Sequence, residues 1–288
     1  MSLSTKGSAA TINIESLHFP RSELAARMMF IFEHQLEHAL TLFAPEQKGK
    51  TTFLQQDFIP LASEHGFLVA VADLQTEPDD PERAIAMALQ DSIHRTQSQL
   101  RNMTLLPGLN RIVGMARAFS KARSDRASMT SEGIYCLKRC LEQFRAAGKG
   151  RALLIVEASE LLAARSEFDN FTAKLRSLLQ APASRVYVVF AGASSEGQEN
   201  LFRRNDAPFY QFGFAMDFPN LGREFVCQLG VRFKEVTGAD WDIDLAHDLF
   251  LRYGEMPGLL IALYVASVSH GLGVKEAAEV VLAMPPLR

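Results

Sequence analysis

Leu42-Phe43-Ala44-Pro45-Glu46-Gln47-Lys48-Gly49-Lys50-Thr51-Thr52 decides how the rest of the chain is read. The apolar run from Ala39 to Phe43 that leads into it has the length and composition of a buried strand. Thr51 to Ile59, which follows, opens a helix. Strand, loop, Gly-Lys-Thr and helix form the setting in which a loop binds phosphate. Backbone N–H groups of the loop and the positive end of the helix converge on one spot and stabilise an anion there. In that setting Lys50 reaches the β- and γ-phosphates, the Thr51 hydroxyl sits on Mg²⁺, and Gly49 lets the backbone come close. The expected phosphate cradle is Ala44, Pro45, Glu46, Gln47, Lys48, Gly49, Lys50, Thr51 and Thr52. Ala44 stands where the first glycine is usual, which is tolerable if the position does not need a positive φ. The competing reading is a surface turn that happens to carry lysines.

The totals fit this picture. The chain has 288 residues, enough for one large α/β domain with a small appendage. Hydrophobic content of 48% and charged content of 22% are those of an ordinary globular protein. A net charge of -3 argues against bulk attraction to nucleic acid or to a membrane. No apolar run approaches the ~18 residues that span a bilayer. The polar stretch Met1 to Asn13 has no apolar core of the kind a secretory signal needs, and three cysteines fit a reducing compartment. The expected localisation is cytoplasmic. Cys136 and Cys140 share a helix spacing without a nearby His or Cys partner, so packing explains them better than zinc.

Further strands follow the first. Phe67 to Asp73 and Arg151 to Glu157 are apolar runs typical of parallel strands covered on both faces, as is Arg185 to Ala191. Phe214 to Phe218 reads as a short fifth strand. Asp73 ends the second strand at the edge where open α/β sheets bind ligands. Helices are expected from Ser22 to Phe32, Glu82 to Leu100, Ile134 to Ala147 and Phe168 to Gln180, with Asp80 and Pro81 starting the second. Between Arg111 and Arg126 five basic residues face one acid, Asp125, so the stretch reads as a nucleic-acid or partner contact or as a solvated connection. After Pro219 to Gly222 the chain is helical: Arg223 to Thr237, Leu245 to Tyr253 (capped by Asp244), Met256 to His270 and Val274 to Leu282, with Trp241 in their core. The expected organisation is a mobile tail over 1–14, a nucleotide-binding α/β domain over 15–219 with a basic insertion at about 102–133, and an α-helical lid over 220–288.

Arg21-Ser22-Glu23-Leu24, Gly49-Lys50-Thr51, Val71-Ala72-Asp73-Leu74 and the block Leu153 to Leu161 together resemble an AAA+/STAND-like P-loop ATPase. Phe190-Ala191-Gly192-Ala193-Ser194-Ser195, Ala207-Pro208-Phe209-Tyr210 and Phe218-Pro219-Asn220-Leu221 complete the resemblance, in particular to bacterial ATP-binding proteins of the archaeal-ATPase type. It spans roughly Phe19 to Leu263, and the loop is its specific motif. The resemblance implies a P-loop NTPase three-layer sandwich, with a five-stranded, mainly parallel sheet in the order 5-1-4-3-2 and a C-terminal helical lid. It implies ATP (or ADP) with Mg²⁺, frequent self-association as a homo-oligomer, and a protein partner that the sequence does not identify.

Residue roles follow from the same resemblance. Phe19, Pro20 and Arg21 stand where a segment covers the adenine, and Pro257 belongs to a Gly-x-x-Pro turn, Gly254-Glu255-Met256-Pro257, that contacts nucleotide from the lid. The third strand of such proteins ends in Asp-Glu. Here Glu157 is either the water-orienting carboxylate, with Val156 in the aspartate's place, or the Mg²⁺-shell carboxylate, with Ala158 where the base belongs. Ser194 is the candidate γ-phosphate sensor, and Arg203 or Arg204 the candidate arginine finger toward a neighbouring subunit. With one carboxylate missing and no clear lid arginine, the functional expectation is a slow Mg²⁺-dependent ATPase acting as a conformational switch. The alternatives are a scaffold that binds nucleotide without hydrolysis and an ATP-dependent regulator of nucleic-acid transactions.

Overall fold

The computed structural model describes residues 17–104, 137–183, 185–193 and 195–283. Two compact units share the chain, and their segments alternate along it. One unit is made of Glu23–Ala44 and Phe58–Asp217; the other gathers the N-terminal segment to Ser22, Pro45–Asp57 and everything from Phe218 onward.

The first unit is built on a five-stranded sheet: β1 (Ala39–Phe43), β2 (Leu68–Asp73), β3 (Ala152–Glu157), β4 (Tyr187–Gly192) and β5 (Phe214–Met216). Its order is β2-β3-β4-β1-β5, the expected 5-1-4-3-2, and every pairing is parallel. The central strands explain themselves by composition. β4, Tyr-Val-Val-Phe-Ala-Gly, is buried at every residue, and β3 is buried up to its final Glu157, so both faces must be apolar. The edges differ: β5 exposes Phe214 and Ala215, and β2 is only half covered. Parallel strands need crossover connections, to which α3 (Ile59–Glu64), α4 (Pro81–Thr104), α5 (Leu137–Ala147) and α6 (Asp169–Gln180) contribute, while α1 (Ser22–Glu33) precedes β1. Asp80 caps α4 through the Arg83 N–H at 2.9 Å, with Pro81 in the first turn. Gly148 and Gly150 follow the end of α5, and Gly150 takes φ 87° to turn the chain into β3.

The helix after β1 begins as α2 (Lys50–Phe53), widens into a π turn (Leu54–Phe58) and continues into α3. Pro60, in the first turn of α3, explains the widening: it has no N–H to offer and its ring crowds the carbonyl four residues back.

In the second unit α7 (Arg223–Thr237), α8 (Ile243–Arg252), α9 (Pro257–His270) and α10 (Val274–Ala283) close a core around Phe225, Phe250 and Tyr264. Trp241 is buried there, stacked on Phe233 at 6.0 Å, and donates its Nε1–H to the Ser267 hydroxyl at 3.3 Å. The cap of α8 is Asp242, which accepts from the Leu245 N–H at 3.0 Å. The expected cap, Asp244, instead lies inside the first turn and pairs with Arg223. No single helix among the described residues is long and apolar enough to cross a membrane.

Candidate nucleotide site

Gly49 sits at the junction of loop and helix with φ 85°, and its carbonyl accepts the Phe53 N–H at 3.0 Å, starting α2 at Lys50. A left-handed N-cap of this kind favours glycine, which has no Cβ to strain there. Gln47 also turns left-handed, at φ 62°, whereas Ala44 is not among the positive-φ residues. Alanine therefore sits at the head of the loop without backbone strain, and its N–H bonds to the Gly192 carbonyl at 3.3 Å as β1 ends. Pro45, Glu46 and Gln47 are exposed, as are Thr51 and Thr52 at the start of the helix. The Lys50 ammonium folds back over the loop and donates to the Pro45 carbonyl at 3.0 Å.

Arg21 organises the surroundings. It is only 9% exposed. Its Nη2 donates to the Lys48 carbonyl at 3.0 Å and its Nε to the Pro219 carbonyl at 3.2 Å, while the guanidinium lies 4.3 Å above the Phe218 ring. Burial pulls its pKa down to about 10, against the opposing pull of Asp57, so it stays charged at neutral pH. Asp57, in the π turn, fixes the same segment: it accepts the Arg21 backbone N–H at 3.0 Å and pairs with the His18 ring at 2.7 Å. The three residues expected over the adenine thus part company. Arg21 faces the loop, Phe19 packs edge-on against Phe225 at 5.9 Å, and Pro20 points outward, exposed.

The loop also meets the turn before α9. Lys48 donates to the Gly254 carbonyl at 2.6 Å, with the Glu255 carboxylate 3.8 Å away. Glu255, at φ 52°, accepts from Asn220 at 2.6 Å. A Cβ placed on Gly49 would lie 3.6 Å from the Arg21 guanidinium and 3.9 Å from the Pro257 ring. Loop, Arg21 and the Gly254–Pro257 turn therefore meet in one place. The Lys48 bridge and the Asp57–His18 pair were not anticipated. A lysine inside a glycine-rich loop gives no hint of its partner, whereas Asp57 could have been noticed as a carboxylate set among Leu54, Phe58 and Ile59.

At the carboxyl edge of the sheet, Glu157 ends β3 directly beside Asp73 of β2. Val156 pairs with Ala72 and Phe190 and is fully buried, so it belongs to the core and not to the edge. Arg204 is bound to Asp206 at 2.8 Å, and Arg203 is exposed in the π turn Glu199–Arg203. Ser194 and the basic stretch 111–126 lie outside the described residues. Among the described residues no group of three or more His, Cys, Asp or Glu side chains is placed to hold a metal. A nucleotide-bound Mg²⁺ does not need one, because it keeps several waters and takes most of its protein ligation from one or two groups. A strand-end carboxylate such as Glu157 is a ligand of the kind such an ion takes, and the left-handed Gly49 at a helix N-terminus is of the kind that suits phosphate.

No protein-family model matches the chain, and no curated protein matches its sequence. Solved structures do match its fold. The Walker-type ATPase PABY2304 of Pyrococcus abyssi superposes with a TM-score of 0.65 at 13% identity, over 92% of this chain and 71% of that one. The ORC1 protein of Aeropyrum pernix, solved in complex with DNA, gives 0.58 at 17% identity over 92% of this chain and 65% of its own. Cdc6p of Pyrobaculum aerophilum gives 0.56 at 11% identity over 95% and 75%. At these identities the likeness is one of fold: the chain has the architecture of the P-loop ATPases.

Proposed function

We propose that the chain binds ATP with Mg²⁺ at the Ala44–Thr52 loop and hydrolyses it slowly, as a conformational switch. The observation that carries this reading is the left-handed Gly49 at the mouth of a helix that starts on Lys50, at the end of the β1 strand of an all-parallel sheet. Each residue then has a part. Backbone N–H groups from Gly49 to Thr51 bind phosphate oxygens, and the Lys50 ammonium exchanges the Pro45 carbonyl for them. Arg21 holds the loop in shape through the Lys48 carbonyl. The Thr51 hydroxyl and Glu157 hold the cation, which would spread the charge of the phosphates during transfer. In the other register Glu157 orients the attacking water instead, and exposed Arg203 is the better of the two finger candidates because Arg204 is tied to Asp206. Lys48, held by the Gly254 carbonyl, gives the loop a way to register with the turn that opens α9, which is where a switch would be felt.

One observation favours a second reading, in which nucleotide is held without turnover. Val156, where an aspartate is usual, is a core residue with no room for a charge. Titration of a fluorescent ATP analogue with and without Mg²⁺, followed by phosphate release on the same sample, separates the two. Tight binding with release supports the ATPase, and binding without release supports the scaffold. Unchanged affinity in Lys50→Ala would sink the loop assignment altogether.

A further inference from the structure

We propose that Glu160 supplies a second carboxylate at the carboxyl edge of the sheet, the one absent from the end of β3, and that it serves a hydrated divalent cation. This rests on the reading of the loop as a nucleotide site.

The path of the chain after β3 is unusual. Ala158 takes φ 54°, a left-handed conformation that costs a non-glycine residue about 1–2 kcal/mol. Strain of that kind is kept where the surroundings require it, often at functional sites. It turns the chain into a 3₁₀ turn (Ser159–Ala163) that is pinned to β4 by a bond from the Ser159 hydroxyl to the Ala191 carbonyl at 3.1 Å. The outcome is that Glu160 leaves its own strand and reaches the end of the next. Its Oε1 accepts the Ala193 N–H at 3.0 Å. Its Oε2 is buried and has no hydrogen-bond partner among the described residues.

Two glycines make this placement possible. A Cβ on Gly192 would fall 2.5 Å from Oε2 and 2.2 Å from the Phe43 ring, and one on Gly197 would fall 2.4 Å from the Glu160 Cβ. Phe43 and Gly192 are register partners, so the carboxylate lies at the junction of β1 and β4. That is one strand nearer to β1, from which the loop departs, than Glu157. A carboxylate oxygen withdrawn from water needs a donor. The donor class that suits an anchored, half-satisfied carboxylate at the ligand edge of such a sheet is the water shell of a magnesium ion.

The competing role is a brace for the Ala193 N–H alone, which a glutamine would fill equally well. Glu160→Gln therefore discriminates. The fluorescent ATP analogue is titrated against the wild-type chain, Glu160→Gln and Glu160→Asp, each with and without Mg²⁺, with thermal melts alongside. We expect Glu160→Gln to bind metal-free nucleotide like the wild type and to lose about 10–100-fold of the tightening that Mg²⁺ gives. Glu160→Asp, which keeps the charge but withdraws it by one methylene, should lose part of it and serves alone if the glutamine variant melts early. Full Mg²⁺ tightening in the folded variants overturns the proposal and leaves the loop reading intact. A wild-type chain that binds no nucleotide removes the loop reading first, and this role with it.

Discussion

Removing the Arg21 guanidinium should unfasten the loop before anything else. The side chain makes two charge-assisted bonds to carbonyls, of Lys48 at 3.0 Å and Pro219 at 3.2 Å, and covers the Phe218 ring at 4.3 Å. Bonds from a charged donor contribute about 1.5 kcal/mol each at the low end. A desolvated cation over a ring adds about 2 kcal/mol, for a gross gain of about 5. Burial works against this, as the pKa drawn down to about 10 testifies, and offsets about 2 kcal/mol. Arg21→Met, which keeps the volume and leaves both carbonyls without a donor, should therefore cost about 3 kcal/mol, or about 6–12 °C in a thermal melt. Arg21→Lys should recover about half, since one ammonium reaches one carbonyl well and lacks the flat face for Phe218. Urea denaturation followed by tryptophan fluorescence is a suitable readout, because Trp241 lies in the core of the same unit. Stability of Arg21→Met within about 1 kcal/mol of wild type would refute the assignment of Arg21 as the fastener.

Gly49→Ala should destabilise by about 1–2 kcal/mol through φ alone, because its Cβ would find ordinary contact distances of 3.6 and 3.9 Å; calorimetry reads the loss, and nucleotide titration should show weaker binding. Val156→Asp, which would restore a carboxylate on paper, should instead cost about 3–5 kcal/mol by burying a charge without a partner, and phosphate release should not rise. His38 is held below its ordinary pKa of 6.5, chiefly by burial and then by Arg185, so the unfolded chain takes up its proton first. Stability should fall as pH drops below about 6.5, and a urea series from pH 7.5 to 5 should show a shallower fall in His38→Asn.

The sheet was legible because its strands are nearly uninterrupted apolar runs, and a run such as Leu-Leu-Ile-Val leaves little choice but a strand covered on both faces. The loop stood out because Gly49, Lys50 and Thr51 are neighbours between an apolar strand and a helix, the spacing a phosphate-binding loop would need. The sequence order of the sheet came from resemblance, not periodicity, and the pairings agree with it. What could not be read were contacts set by long-range packing. Nothing local tells Lys48 that its carbonyl partner is Gly254, or Glu160 that it will leave β3 for β4. Asp244 and Asp242 show the limit of local rules: both are good capping residues, and the choice depends on where the helix starts and on Arg223 taking the other.

The alternation of the two units along the chain also bears on when the site comes into being. Lys48 waits for Gly254, 206 positions later; Arg21 waits for Pro219, 198 later; and His18 waits for Gln228, 210 later. At a synthesis rate of about 5–20 residues per second, the loop leaves the ribosome about 10–40 s before the partners that hold it. Contacts that distant are slow to close, because their loop entropy must be met before they return anything. The sheet's own segments are all synthesised by Asp217, so its strands have the materials to pair while the loop still lacks Pro219 and Gly254. In a newborn chain, the bonds that hold the loop should therefore form only once Gly254, just ahead of α9, has been synthesised.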